Sequence, residues 1–184
     1  MSSPLTLVTP RLELKPASLN LFDGLLMAVE ISIPELRIWM PWAADFDPEG
    51  TRAYLGRAEK EWAEGNERHF VVFHDGVIAG VCSLDHADPL NHTLDIGYWM
   101  RSDLCGKGLM TEAVSVVVSY AFETLTTHRI ELQAGTQNAA SMRIAEKLGF
   151  KREGVLREAG RGANGFHDLN VYGLLETDRR TTFH

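Results

Sequence analysis

The sequence predicts one α/β (α+β) domain built on a single mixed, mostly antiparallel sheet of about seven strands, flanked by about four helices. Three observations predict this fold class. The 184 residues, 45% hydrophobic and 23% charged, suit one globular domain spanning 1–184. Apolar residues alternate with period two in several short runs and recur every three or four residues in others. Hairpin signals join the early strands, so neighbouring strands there are antiparallel.

The N-terminal part of the chain predicts a strand, a helix and an irregular segment. Leu12 and Leu14 alternate with charged residues in an opening strand, and Ser18 is placed to cap a helix that runs to about Glu30. Residues 32–50 contain three prolines and two tryptophans, which predicts a loop or a broken helix.

The rest of the chain alternates strands and helices. A helix is predicted from about Pro48 to Glu64, because proline is favoured in the first turn. Asp75-Gly76, between two apolar runs, is the strongest short signal for a β-hairpin. The other elements follow from the same periodicities: a strand at 92–100, a helix from Leu109 past Tyr120, a strand at 128–135, a short helix from Asn138 to Leu148, and final strands at 150–160 and 166–175.

Composition excludes several classes of function. The N-terminus lacks the pattern of a signal peptide and no apolar run reaches the ~20 residues that span a membrane, which predicts a cytoplasmic protein without a membrane partner. The net charge of −7 argues against nucleic acid and suits cationic or amine-bearing substrates. Cys82 and Cys105 show no metal-ligand spacing, so neither a disulfide framework nor a metal site is expected.

The stretch "RSDLCGKGLMTEA" places Gly106, Lys107 and Gly108 directly before a predicted helix. It does not match the motif of the nucleoside-triphosphate P-loop, because Gly108 occupies the Ser/Thr position. It also fails the dinucleotide fingerprint, because Thr111 stands where the third glycine belongs. A helix whose first-turn N–H groups bind a pyrophosphate fits better, since glycines let the anion approach the backbone. A plain loop with a solvated lysine is the alternative.

Several ordered motifs occur together: "DIGYWM…GKGLMTEA", "HRIEL…NAASMRIAEKLGFKREGVLREA" and "HDLNVYGLL". With them the chain resembles, from about Thr6 to Leu175, the GNAT superfamily of acyl-CoA-dependent N-acetyltransferases. The resemblance is to the Rim-type branch, which acetylates the N-terminal amine of ribosomal proteins. It implies a sheet that splays at the cofactor site and acetyl-CoA as cosubstrate. The cofactor-binding residues that it implies are Tyr98, Trp99, Met100, Cys105, Gly106, Lys107, Gly108, Leu109, Met110, Thr111 and Asn138.

Two positions depart from the family's cofactor loop. The usual pattern is Gln/Arg-x-x-Gly-x-Gly/Ala, and here Cys105 and Met110 replace its first and last residues. The donors are backbone N–H groups, so the anion site is expected to survive. Because Met110 adds bulk near the phosphates, weaker cofactor binding is expected. Asn138 would bond the cofactor arm, or it is an ordinary helix N-cap.

The resemblance implies one catalytic residue and an acceptor groove. Ser141 would protonate the departing thiolate as general acid; its alternative is a first-turn serine that bonds its own backbone. Trp39 and Trp42 would border the groove for the acceptor amine, or else plug the core or form a dimer contact.

The general base is left unassigned, because Gly160 occupies the place of the family's glutamate, and nearby Glu158 faces the same way at a different height. Other carboxylates and histidines are interpreted as solvated or structural groups: Asp95, Glu131, Asp168, His74, His86 and His167. Glu112 is interpreted as a structural residue favoured by the helix dipole.

The predicted function is transfer of an acetyl group from acetyl-CoA to a primary amine, foremost a protein or peptide N-terminal α-amine. An α-amine with a pKa of about 8 is neutral in roughly one molecule in ten at pH 7, so it needs only a weak base. Two alternatives are kept: a small-molecule amine acetyltransferase acting on a polyamine or antibiotic, and a non-catalytic acyl-CoA-binding module. A homodimer is left open.

Overall fold

The protein, seen in a computed structural model, is described for residues 5–182, with side chains to 179. Eight strands form one sheet in the order β1-β2-β3-β4-β5-β6-β8-β7. The strands are β1 (Leu7–Val8), β2 (Glu13–Pro16), β3 (Arg68–His74), β4 (Val77–Asp88), β5 (Thr93–Met100), β6 (Arg129–Gly135), β7 (Lys151–Gly162) and β8 (Gly165–Leu175). The helices are α1 (Phe22–Trp39), α2 (Pro41–Ala44), α3 (Pro48–Glu64), α4 (Leu109–Glu123), α5 (Ala139–Lys147) and α6 (Glu176–Thr182).

The predicted fold class is confirmed, with one strand and two helices more than expected. Within this sheet β5 and β6 are parallel and the other neighbouring pairs are antiparallel. The opening strand is in fact a hairpin of β1 and β2, and α6 was not predicted. No helix within residues 5–182 is long and apolar enough to cross a membrane.

The central hairpin forms where the sequence places it. Asp75 (φ 49°) and Gly76 (φ 78°) both adopt the left-handed conformation, which a two-residue hairpin turn with the natural strand twist requires. The turn sets the register at its end of the hairpin, where His74 pairs with Val77, and a bulge between Val72 and Phe73 then shifts it by one residue, so that Val71 pairs with Val81.

Of the loop or broken helix predicted for residues 32–50, the structure shows the broken helix, and α1 extends beyond its predicted end near Glu30. It continues through Pro34 to Trp39, and the short helix α2 follows. The ring of Pro34 removes one backbone donor, but burial of Ser32 and Leu36 on the inner face holds the helix together. Ser18 does not cap α1; it precedes a 3₁₀ turn and its Oγ bonds Asn20.

The sheet carries a core on each face. Along β3, Phe70 and Val72 face α4, whereas Val71 faces α1 and α3, because neighbouring strand residues point to opposite sides. The α4 face contains the larger apolar cluster. The α1/α3 face contains a smaller one, which leaves room for a cleft.

Candidate active site

The sheet opens between its two parallel strands. β5 and β6 pair from Thr93–Arg129 to Asp95–Glu131, and no pairing is found beyond that point in the described residues. On its other side β5 stays paired to β4 as far as Met100. The free edge of β5, residues 96–100, therefore offers backbone donors and acceptors to an extended ligand. The predicted splay is thus confirmed.

Helix α4 begins beside the free edge of β5. Gly106 (φ 78°) and Gly108 (φ 77°) adopt left-handed conformations that residues with a Cβ rarely tolerate, and Gly108 is the N-cap. The first-turn N–H groups have no intrahelical acceptor and lie at the positive end of the helix dipole. This geometry fits the predicted anion site. Lys107 is exposed.

An ion-pair network ties this loop to the N-terminal hairpin. The Arg11 guanidinium bonds the Lys107 carbonyl oxygen at 3.0 Å and the Glu112 carboxylate at 2.7 Å. The Thr9 hydroxyl donates to the other carboxylate oxygen of Glu112. Burial alone would raise the pKa of Glu112, but the bonds from Thr9 and Arg11 hold it below the ordinary value. Glu112 is therefore structural, as predicted.

We expect Glu112→Gln to lower the free energy of unfolding by about 1 kcal/mol at pH 7, a figure reduced for partial exposure. A carboxyl whose pKa is lowered on folding stabilises above its unfolded pKa, and loses that stabilisation as pH falls through its folded pKa. The variant and wild type should therefore have the same free energy of unfolding below about pH 4. Urea unfolding at both pH values measures it, and a pH-independent difference would contradict the ion-pair role.

Met110 departs from its predicted position. Its side chain is 6% exposed and packs in the core on the α4 face, as does that of Leu109. Only their backbone groups can meet a phosphate. The bulk of Met110 thus lies in the core and not beside the phosphates, which removes the reason for expecting weaker cofactor binding.

We expect Met110→Ala to cost about 2 kcal/mol of folding stability through the cavity it leaves. The dissociation constant for coenzyme A should stay within about twofold of wild type, because the backbone donors are kept. Thermal unfolding and calorimetric titration measure the two quantities. Tighter coenzyme A binding in this variant would contradict the buried placement.

The Cys105 thiol is exposed and points to the backbone, with Sγ 3.6 Å from the Arg101 carbonyl oxygen. Partial burial, followed by the charges of Glu35 and Asp103, raises its pKa. A raised pKa disfavours the thiolate, so Cys105 is a poor nucleophile.

Tyr98 reaches across the gap from β5 to α5. Its hydroxyl lies 2.9 Å from Ser141 Oγ and 3.3 Å from the Ser141 carbonyl oxygen. Burial raises the pKa of Tyr98, so the phenol stays protonated at neutral pH. Asn138 is the N-cap of α5, and its Oδ1 accepts from the Ser141 backbone N–H. The cap fixes Ser141 opposite Tyr98.

A cleft of about 830 Å³ opens on the other face of the sheet, between α1, α2, α3 and the central strands. Trp42 lines its mouth, 44% exposed, with its ring 6.3 Å from that of Trp99. Trp42, predicted to border the acceptor groove, and Trp99, predicted to bind the cofactor, both line this cleft. Met100 instead packs against the opposite core.

Trp39 lies apart from the residues that line the cleft. Its ring meets His167 edge-on, with centroids 5.8 Å apart, and covers the backbone of Gly135. A Cβ at Gly160 would collide with the His167 ring. Any side chain at position 160 would therefore need space that His167 and Leu169 occupy.

The cleft also contains a polar cluster that sequence analysis missed. Glu67, His69 and Asp85 each contribute one potential ligand atom, and these atoms lie within 4.8 Å of one another. His69 is 4% exposed and lies against Tyr54 of α3. His69 lies in the apolar run "RHFVVFH", where only its alternation with Val71 indicates the shared face.

The fold, together with the gap between β5 and β6, defines a class of protein: mixed α/β transferases whose sheet opens beside the N-terminus of a helix. The chain belongs to the GNAT acetyltransferase family, since the family described as Acetyltransferase (GNAT) domain matches residues 11–151. The predicted enzyme class, N-acetyltransferase with acetyl-CoA as cosubstrate, is confirmed at the level of this family.

Relatives differ in the acceptor that their names give. YdaF of Bacillus subtilis, provisionally named a ribosomal N-acetyltransferase, is 35% identical over 120 residues, 65% of each chain. Spermidine N(1)-acetyltransferase of Escherichia coli is 31% identical over 98 residues, 53% of each chain. The solved structure of RimL, a ribosomal L7/L12 α-N-protein acetyltransferase in complex with coenzyme A, shares the fold. Its TM-score is 0.87 at 24% identity, over 92% of this chain and 96% of that one.

Proposed function

We propose that this chain transfers acetyl from acetyl-CoA to the N-terminal α-amine of a protein or peptide of the ribosomal-protein kind. One observation carries the proposal: the free edge of β5, residues 96–100, has the α4 N-terminus beside it and the acceptor cleft on its α1/α3 face. A pyrophosphate-bearing donor and an amine would therefore approach the same strand from two sides. Positioning of this kind supplies much of the acceleration in acyl transfer.

The chain's own groups suit the chemistry of this reaction. When bound, acetyl-CoA supplies an activated acetyl group on a thioester sulfur. As the amine nitrogen bonds to the carbonyl carbon, the carbon–sulfur bond breaks and the thiolate needs a proton. The Ser141–Tyr98 hydroxyl pair spans the open gap and would deliver that proton, with Ser141 as general acid. This pair favours an enzyme over a non-catalytic acyl-CoA-binding module.

A small polycationic amine is the second candidate acceptor. Four carboxylates line the cleft against one arginine, and that arginine is paired with one of them. They are Asp45, Asp47, Glu67 and Asp85, with Arg57 bonded to Glu67. An anionic cleft attracts cationic ligands. The similarity to a spermidine acetyltransferase supports the same candidate.

An acceptor panel tests the proposal. Thiol release from acetyl-CoA is followed with short peptides bearing free or formylated N-termini, with spermidine and with a simple alkylamine. The highest kcat/KM is expected for a free N-terminal peptide, with none for its formylated match. Preference for spermidine would establish the second candidate. Binding of coenzyme A without thiol release for any acceptor would contradict both.

A further inference from the structure

The floor of the cleft contains an acceptor atom that lacks a donor. Asp85 Oδ1 is buried and has no hydrogen-bond partner among the described residues. It lies 3.2 Å from His69 Nε2, but that nitrogen directs its bond to Glu67 Oε2 at 2.8 Å. The other oxygen, Asp85 Oδ2, accepts from the Ser83 hydroxyl at 2.7 Å. A buried acceptor without a donor is costly, and the Asp85 side chain, 22% exposed, lines the cleft, so a small rotation of the carboxylate would present this oxygen to a ligand N–H.

The tautomer of His69 follows from its neighbours. Nδ1 lies 3.1 Å from the Tyr54 hydroxyl, and Nε2 faces two carboxylates. Burial, and then the charge of Asp85, raises the pKa of Tyr54, so its hydroxyl keeps its proton and can donate to Nδ1. Nε2 then carries a proton for Glu67. His69 is thereby held in place and leaves Asp85 Oδ1 free.

Asp85 lies one strand from the free edge of β5. It pairs with Asp95, and Ser83 pairs with Gly97, the second residue of that edge. A Cβ placed on Gly97 would lie 3.4 Å from Asp85 Oδ2 and from Ser83 Oγ. Because residue 97 is glycine, no side chain separates the carboxylate from the strand where transfer is proposed.

The charges around Asp85 favour a cationic ligand. The pKa of Asp95 is raised, first by burial and then by the charges of Glu131 and Asp85. The hydrogen bond and charge of His86 only partly oppose this rise. Burial would raise the pKa of Glu67, but the hydrogen bond from His69 and then the charge and hydrogen bond of Arg57 lower it. Titratable or charged groups from every packed element surround Asp85. Those that line the cleft with it are Asp45, Asp47, Tyr54, Arg57, Glu67, His69, His86 and Tyr98, and its charge also acts on Cys82 and Asp95.

We propose that Asp85 is a catalytic residue that binds the ammonium form of the acceptor amine and takes its proton, with His69 as a positioning residue. The inference rests on the proposed function. It supplies a general base for a chain in which Gly160 stands in the place of the family's glutamate. The ammonium N–H bond breaks and an O–H bond forms on Asp85, which later releases the proton to water. The freed nitrogen pair forms the bond to the acetyl carbon and the carbon–sulfur bond breaks. Ser141 protonates the thiolate, and the second proton that the nitrogen loses passes through water and replaces the one that Ser141 gave.

Asp85→Asn tests this role through the pH dependence of kcat/KM for the best acceptor. The variant keeps the shape but must use the neutral amine, so a loss of about 100-fold is expected at pH 7. Between pH 7 and about pH 9 the neutral fraction of an α-amine, which the variant uses, rises about tenfold, and the ammonium fraction, which wild type binds, falls about tenfold, so the deficit should shrink by about 100-fold and nearly close. Affinity for acetyl-CoA should be unchanged, which also shows that the variant folds.

Controls separate this role from simpler ones. Asp23→Asn makes the same charge change at an exposed site on α1 and should match wild type. If Asp85→Asn fails to fold, Asp85→Glu replaces it and should keep the wild-type pH profile at reduced kcat. A deficit that is constant with pH, or no deficit, would overturn the proposal.

Two further outcomes distinguish a metal site, and a failure of the proposed function, from the proposed role of Asp85. A stoichiometric zinc ion retained by wild type and lost in Asp85→Asn, with turnover abolished by a chelator, would overturn the proposal in favour of a metal at Glu67, His69 and Asp85. If wild type itself acetylates no amine, the proposed function fails. If wild type is active and Asp85→Asn is equally active, only the role of Asp85 is overturned.

Discussion

Ser141→Ala is expected to lower kcat about 100-fold while the dissociation constant for coenzyme A stays within about twofold. The hydroxyl lies 2.9 Å from that of Tyr98 across the open gap, and in the proposed mechanism it supplies the thiolate's proton. The backbone N–H of residue 141 keeps its bond to Asn138, so the fold of α5 should not change. Steady-state kinetics with a free N-terminal peptide measure the loss.

The second hydroxyl of the pair gives an internal check. Tyr98→Phe should lower kcat by about tenfold, because Ser141 keeps its proton but loses its partner. Ser115→Ala, an exposed serine on α4, is the matched control and should behave as wild type. Wild-type kcat in both Ser141→Ala and Tyr98→Phe would remove the hydroxyl pair from the mechanism.

Gly80→Ala is expected to have the largest effect on stability, a loss of about 3 kcal/mol in the free energy of unfolding. A Cβ at this position would collide with the carbonyl oxygen of Trp99 and crowd the Cα of Met100. The obstacle is backbone of β5, which cannot rotate away as a side chain would. Relief requires β5 to move, so coenzyme A affinity should fall as well.

Gly154→Ala is the matched control for this prediction. Gly154 lies in β7, where an added Cβ meets nothing within 4 Å, so stability should change little or rise slightly. Urea unfolding of both variants gives the comparison. Equal stability of Gly80→Ala and Gly154→Ala would contradict the close approach of β4 and β5.

Local signals predicted most of the fold. Helix α3 begins and ends where the sequence places it, because Pro48 and Gly65 mark its two ends. The Asp75-Gly76 turn is as clear. The sequence prediction ended helix α1 too early, because Pro34 is a local signal that breaks helices. Its burial against the sheet, which a local pattern does not contain, outweighs that signal.

The site was predictable only where it follows a motif. Asn138 and Ser141 share one helix start, so their spacing already fixes their relation. Met110 was misplaced because the sequence gives the order of residues but not which side of the first turn faces the core. His69 and Asp85 come from different strands, so their meeting becomes visible only once the sheet is assembled.

Mass spectrometric mapping of the product tests the central claim most directly. One peptide carrying both a free N-terminus and an internal lysine is incubated with the protein and acetyl-CoA, and the acetylated atom is located by fragmentation. Acetylation of the α-amine alone, with one thiol released per acetyl group, is the expected result. Acetyl on the lysine side chain, or no acetylated peptide despite bound coenzyme A, would contradict α-amine acetyl transfer by this protein.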